Sequence, residues 1–209
     1  LDFDTCRISD KQRLGEPGDG LRASLGTLEI FRPSVGSATV GMGKRAIDLA
    51  LNVVRERHAF GAPLSELPGI RLKLGRMAAI VAGGAALVER AATMCDNGER
   101  IMLEGAAAKA YATEAALEVI HESQQIHGGR GVIVGYEIEA LGRAARPTTI
   151  YEGASEVQRT IIGRAEAKRA RAGKSRGPDN LPDSPTGNLL REARATYEAW
   201  LDEAIKGPA

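Results

Sequence analysis

Three long stretches carry apolar residues at helical spacing, and that periodicity restricts the chain to a helix-dominated fold. From about Ala23 to Glu56, Val40, Ile47, Leu51 and Val54 recur at three- to four-residue intervals or their multiples. Ile70, Leu74, Met77 and Val81 share one stripe of a second helix that runs to about Met94. A third helix spans roughly Arg100 to His121, with Ala106, Ala110, Thr113 and Leu117 on one face. Small side chains on that face allow close helix approach. Aromatic residues make up 4% of the chain against 43% hydrophobic, so the core is built from Ala, Leu, Ile and Val. Such a core favours packed helices over an aromatic-rich sandwich. Pro33 predicts a kink or a boundary early in the first helix.

The two ends read differently. Leu1, Phe3 and Cys6 alternate with polar residues and suggest a short strand, followed by the irregular GEPGDG segment, Gly15 to Gly20. With no partner strand downstream, this strand is expected to be the last piece of an upstream β-domain. The chain begins with Leu1 rather than Met and reads as part of a longer polypeptide. Beyond Arg164 it turns basic at Lys168, Arg169, Arg171, Lys174 and Arg176. That is either a solvated helix end or a contact for a phosphate-bearing ligand tail. Gly173 to Gly187 has linker composition. The closing LLREARATYEAWLDEAI is an amphipathic helix offering Leu190, Ala193, Tyr197, Trp200 and Leu201. The expected division is 1–22 as the end of a β-domain and linker, 23–172 as a helical bundle, and 173–209 as linker and helical extension.

Charge and cysteines limit the function classes. Lys plus Arg number 28 against 27 Asp plus Glu, a balance that gives no hint of a nucleic-acid partner. Cys6 and Cys95 lack metal-ligand spacing and read as free thiols of a reducing compartment. No metal site is expected, and no apolar run reaches the length of a membrane span.

Chemistry concentrates between Arg143 and Arg164, RAARPTTIYEGASEVQRTIIGR. Pro147 biases Arg146 toward an extended conformation, so a helix should end near Arg146. Ser155 then heads a new helix, with Gln158 completing a Ser-x-x-Gln capping box. Tyr151, Glu152 and Gly153 lie between the two helices, and Gly153 allows a sharp turn. A carboxylate is thus presented on a bend just before a helix start. The helix dipole favours its charged form while burial beside an apolar ligand opposes it, a balance suited to general-base work. A solvated loop Glu supporting the helix N-terminus is the alternative. Arg32 is either a solvated helix charge or an anion contact. Arg57 and Phe60 either hold a flat or anionic ligand or serve as a helix-end cation and a loop Phe. The glycines of QIHGGRGV, Gln125 to Val132, suit a phosphate or a helix C-cap equally.

Taken in order, RERHAFG, QIHGGRG and RAARPTTIYEGASEVQR resemble the C-terminal helical domain of the acyl-CoA dehydrogenase family of flavoproteins. LGEPGDG, FRPSVGSATVGMGKRAID and LKLGRM support the resemblance, which covers roughly residues 1–170. It implies an all-α, up-down four-helix bundle with a short N-terminal β remnant and a C-terminal helical extension, assembling as a homodimer or homotetramer. It also implies FAD as cofactor, an acyl-CoA substrate and an electron-transfer flavoprotein as electron acceptor. The location implied is cytoplasmic, or the mitochondrial matrix in a eukaryote.

By the same resemblance Glu152 is the base that removes the α-proton, and the position before Arg32 that carries the base in some members is Phe31 here. Arg32, Glu29 and Gly153 fall at substrate-binding positions. Arg57 and Phe60 match residues that hold the ADP half of FAD. Gln125, Gly128 and Gly129 match a loop offered to the FAD of the neighbouring subunit. Ala154, Ser155 and Glu156 follow along the flavin, with Ala154 in place of the usual Thr. Pro68 and Ala144 also depart from the common Gln and Asp. With the β-domain missing, this chain alone is expected to be inactive. Other implied readings are an acyl-CoA oxidase or flavin monooxygenase of the same fold, or a non-catalytic oligomerisation module.

Overall fold

The computed structural model describes residues 1–173 and 185–206, with side chains for 1–173 and 188–199. The chain divides into two compact units, Leu1–Ala165 and Glu166–Ala209. The first holds α1 (Gly20–Glu56), a hairpin of β1 (His58–Ala59) and β2 (Ala62–Pro63), α2 (Pro68–Asp96), α3 (Met102–His127) and α4 (Glu137–Ala145). α5 (Ser155–Arg171) begins in the first unit and ends in the second, which also holds α6 (Pro185–Lys206). The described residues are thus all-α apart from a two-residue hairpin.

α3 is the axis of the first unit, packed against both α1 and α2. Its Ala106, Ala108, Ala112 and Ala116 are at most 2% exposed, because small side chains let flanking helices close in on several sides at once. Gly36 and Gly43 of α1 and Gly84 of α2 extend the same logic. A Cβ on Gly43, for example, would stand 3.0 Å from Val81. Larger aliphatics fill the remaining space: Met77, Val119, Ile120 and Ile138 are essentially inaccessible. Each contributes about 1.5–3 kcal/mol by leaving water. All three phenylalanines, Phe3, Phe31 and Phe60, are exposed, so the core is aliphatic throughout. The short Asn97–Ile101 connection makes α2 and α3 antiparallel neighbours. Lys73–Glu122 and Arg76–Glu118 ion pairs cross the same seam. α4 closes the unit through buried Ile138 and Ala145 and a two-bond Arg45–Glu137 pair to α1, at 2.6 and 2.7 Å.

Four local expectations are corrected. Leu1–Ser9 forms no strand; these residues are exposed coil leading to a single 3-10 turn, Asp10–Gln12, since alternation without a partner strand leaves the backbone unpaired. Pro33 neither ends nor starts a helix. It lies inside α1, buried against Gly105, and the continuous helix absorbs the missing donor. Ser155 is not a capping residue but the first residue of α5, and its Oγ has no partner. Gln158 does not reach back to Ser155; its amide donates to the carbonyls of Glu152 and Gly153. Finally, α2 is long and apolar enough by length and composition to cross a membrane, with an 18-residue window of mean hydropathy 1.3. Counting uninterrupted apolar residues missed this because Glu89 and Arg90 break the run. Met77, Val81, Gly84 and Ala91 nevertheless place one face of α2 in the bundle.

In the second unit, α6 exposes Leu190 and Tyr197. Of the linker read at Gly173 to Gly187, the last three residues, Pro185 to Gly187, open α6 instead, while 174–184, with Lys174 and Arg176, and the side chains of Trp200 and Leu201 lie outside the described residues.

Candidate active site

The bend between α4 and α5 is built on a charged floor. α4 ends at Ala145, a 3-10 turn covers Arg146–Thr149, and the chain then reverses through Tyr151, Glu152 and Gly153. Glu152 has φ 54° and Gly153 φ 94°, both in the left-handed region. That conformation costs a non-glycine residue about 1–2 kcal/mol, so surrounding contacts must enforce it. They do. The Gly153 carbonyl accepts from Lys109 Nζ at 2.8 Å and from Gln158 Nε2 at 3.0 Å, and Gln158 also donates to the Glu152 carbonyl at 3.4 Å. Gly153 has no room for a side chain, since a Cβ there would run into Gln158 Nε2.

Beneath the bend lie two buried cations, Lys109 of α3 at 0% exposure and Arg32 of α1 at 6%. Burial pushes the Lys109 ammonium below the ordinary lysine range, and repulsion from Arg32 adds to it; Glu114, Glu152 and Glu156 pull the other way. Four polar atoms here are buried without a partner: Glu152 Oε2, Arg32 Nε, Ser155 Oγ and Gln158 Oε1. Buried polar groups are nearly always satisfied, so this cluster leaves hydrogen-bonding capacity that a water or a ligand can take up. A small cavity of about 220 Å³ opens beside it, lined by Glu114, Arg146, Thr149, Ala154, Ser155 and Glu156.

The sequence-selected residues separate into two groups. Arg32, Glu152, Gly153, Ala154 and Ser155 meet at the bend, with Glu156 exposed on the first turn of α5. Glu29, one turn before Arg32, accepts a hydrogen bond from Ile101 N–H at 3.1 Å and thereby caps the start of α3. The second group lies at the other end of α1 and α3. Arg57, with its guanidinium beside Gly128, lines a cavity of about 620 Å³ together with Val53, Glu56, His127, Gly129 and Arg130. Gly128 has φ 64° and its N–H closes α3 by donating to the Gln125 carbonyl. Phe60 sits at the tip of the β1–β2 hairpin, 95% exposed. Arg57 directly follows α1 and stands 25 residues beyond Arg32, a distance of about 37 Å along the helix axis.

Lys109 and Gln158 escaped selection from sequence. Lys109 occupies the face that Ala106 and Thr113 share, where an isolated lysine in an alanine-rich stripe is the available signal. Gln158 was noticed only as half of a capping box.

The model of the "Acyl-CoA dehydrogenase, C-terminal domain" family matches residues 18–167. The short-chain specific acyl-CoA dehydrogenase of Rattus norvegicus mitochondria is 41% identical over 162 residues, covering 78% of this chain and 39% of that protein. Butyryl-CoA dehydrogenase from Megasphaera elsdenii superposes with a TM-score of 0.75 at 32% identity, over 77% of this chain and 42% of that one. An acyl-CoA dehydrogenase complexed with FAD from Bacillus anthracis gives 0.70 at 29% identity, over 76% and 31%. The chain thus spans about two fifths of the length of the curated relatives it matches. With the matched segment running from the start of α1 into α5 and containing both groups of site residues, the chain belongs to the acyl-CoA dehydrogenase family and corresponds to its C-terminal domain.

Proposed function

We propose that this chain is the C-terminal part of an FAD-dependent acyl-CoA dehydrogenase in which Glu152 removes the α-proton of an acyl-CoA thioester. The product is the trans-2-enoyl-CoA. The observation that carries this reading is the solvent-excluded, unpartnered Oε2 of Glu152 on a bend held in a strained conformation. A carboxylate oxygen kept dry and unbonded has its lone pairs available for a substrate proton. As the proton leaves, negative charge builds on the thioester oxygen, and the buried positive charge of Arg32 and Lys109 favours that charge. Arg32 and Gly153 line the thioester side. For Glu29, whose Oε1 is already bonded to Ile101, contact with CoA is proposed through its second oxygen.

FAD, when bound, supplies the acceptor for the hydride from the β-carbon. The residues present fit it: Arg57 and Arg130 put two guanidinium groups into one concave cavity, a donor set suited to a pyrophosphate. Phe60 presents a bare ring beyond it. Arg57 and Phe60 would hold the ADP half, Gln125, Gly128 and Gly129 would be offered to the FAD of the neighbouring subunit, and Ala154, Ser155 and Glu156 would take the flavin side. With Arg57 about 37 Å along α1 from Arg32, which lies under the Glu152 bend, the first set is too distant to share one cofactor with that bend within a chain, which supports a homodimer or homotetramer. An electron-transfer flavoprotein is the proposed acceptor, and the matrix the proposed location in a eukaryotic source. The chain alone is proposed to be inactive.

The test is Glu152→Gln in the complete flavoprotein. Anaerobic bleaching of the flavin by acyl-CoA should slow by about 10²–10⁴-fold with FAD content unchanged. Bleaching near the wild-type rate would remove Glu152 from the role.

A further inference from the structure

We infer that Lys109 is a positioning residue for the candidate base: its buried ammonium clamps the Gly153 carbonyl from below. Together with Gln158 it fixes the two peptide planes that follow Glu152, so that the carboxylate stays aimed at the substrate. This rests on Glu152 acting as the base.

A lysine with no solvent exposure is costly unless its charge is used. Here the stem crosses from α3 to the bend, and Nζ makes a 2.8 Å charge-assisted bond to a neutral carbonyl rather than pairing with a carboxylate. The carbonyl belongs to the residue directly after Glu152, within the segment whose left-handed φ values need enforcement. Gln158 grips the same carbonyl, and the Glu152 carbonyl besides. Two buried donors, from α3 and α5, therefore converge on one strained segment. The charged groups facing Lys109 are Arg32 on α1, Glu114 on its own helix, Glu152 on the bend and Glu156 on α5. The clamp depends on protonation. Burial, then Arg32, lower the folded-state affinity of Lys109 for its proton, so the unfolded chain binds that proton more tightly. Stability accordingly rises with pH between the folded and unfolded pKa values, while the charge-assisted grip on Gly153 is lost over that same window.

The first arm uses the 209-residue chain. Hydrogen exchange of the amides of residues 151–155 is compared between wild type and Lys109→Met, with the α3 amides as the fold control. Exchange at the bend should accelerate by about 10- to 100-fold while α3 stays protected; unchanged exchange at the bend overturns the clamp. Should Lys109→Met not fold, the wild-type chain still decides. The Gly153 carbonyl ¹³C shift should titrate below the ordinary lysine range, and a carbonyl indifferent to pH there overturns the proposal. The second arm uses the complete flavoprotein. Wild-type kcat should fall as pH rises and Lys109 loses its proton, and Lys109→Met should lower kcat by about 10- to 100-fold at nearly constant KM and remove that fall. A purely structural lysine would lower thermal stability and leave kcat of the folded enzyme intact, which overturns positioning. A wild-type flavoprotein without turnover overturns the base reading and the catalytic half of this proposal, while the exchange arm still decides the clamp.

Discussion

Two bends use the same backbone signature in opposite surroundings. At the β1–β2 hairpin, Phe60 (φ 53°) is followed by Gly61 (φ 81°); between α4 and α5, Glu152 (φ 54°) is followed by Gly153 (φ 94°). In the hairpin the cause is local. Positive φ at both positions is the type I′ form of a two-residue connection between antiparallel strands, and the pairing of His58 with Pro63 and Ala59 with Ala62 holds it. Nothing stands within 4 Å of where a Gly61 Cβ would be, and Phe60 is almost fully exposed. At the second bend no strand pairing enforces the turn. Lys109 and Gln158 hold it from inside, against a side chain whose terminal oxygen has no partner. Strain imposed by a turn is a matter of geometry; strain imposed by buried donors is a matter of what the bend must present.

Alanine at the two glycines separates these causes with the largest expected effect. Gly153→Ala meets both the left-handed backbone and the Gln158 amide, and should destabilise the chain by about 2–4 kcal/mol. Gly61→Ala meets only the backbone, and should cost about 1–2 kcal/mol. Chemical denaturation of the two variants reads the difference; equal losses would mean that the buried bend is no more tightly enforced than the hairpin. Next in size is Gln158→Leu. It leaves the Glu152 carbonyl without its donor while Lys109 still holds Gly153, for a cost of about 1–2 kcal/mol. Combined with Lys109→Met, the loss in a double-mutant cycle should exceed the sum of the single losses, because either donor partly covers for the other.

Much of this contrast was legible in the residue order, and what was missed has a physical cause. α1, α2 and α3 follow from apolar periodicity because their buried faces are long and aliphatic. Glu152 and Gly153 read as a carboxylate on a glycine bend ahead of a helix start, but the residues alone left a solvated glutamate open, and the role of base came from the family resemblance. Lys109 was hidden because lysine is normally solvated, and only tertiary packing tells a buried one from the rest. Ser155 and Gln158 satisfied the grammar of a capping box, yet the bend drew Gln158 to its own carbonyls instead. The N-terminal strand failed because alternation describes one strand, whereas a sheet needs two.

The smallest effects should come from glycine at the strained residues themselves, and they sharpen the comparison because their signs are the informative part. Phe60→Gly relieves about 1–2 kcal/mol of left-handed strain and forfeits little packing, since the ring is 95% exposed. The added freedom of the unfolded chain takes back about 0.5–1 kcal/mol, leaving a net gain of about 0–1.5 kcal/mol. Glu152→Gly gains the same relief and also removes a buried oxygen with no partner, so it should stabilise the chain more than Phe60→Gly does. Melting curves of the two variants measure this directly. If Glu152→Gly instead melts lower than wild type, the carboxylate is holding the bend together rather than being held by it, and the distinction between the two turns collapses.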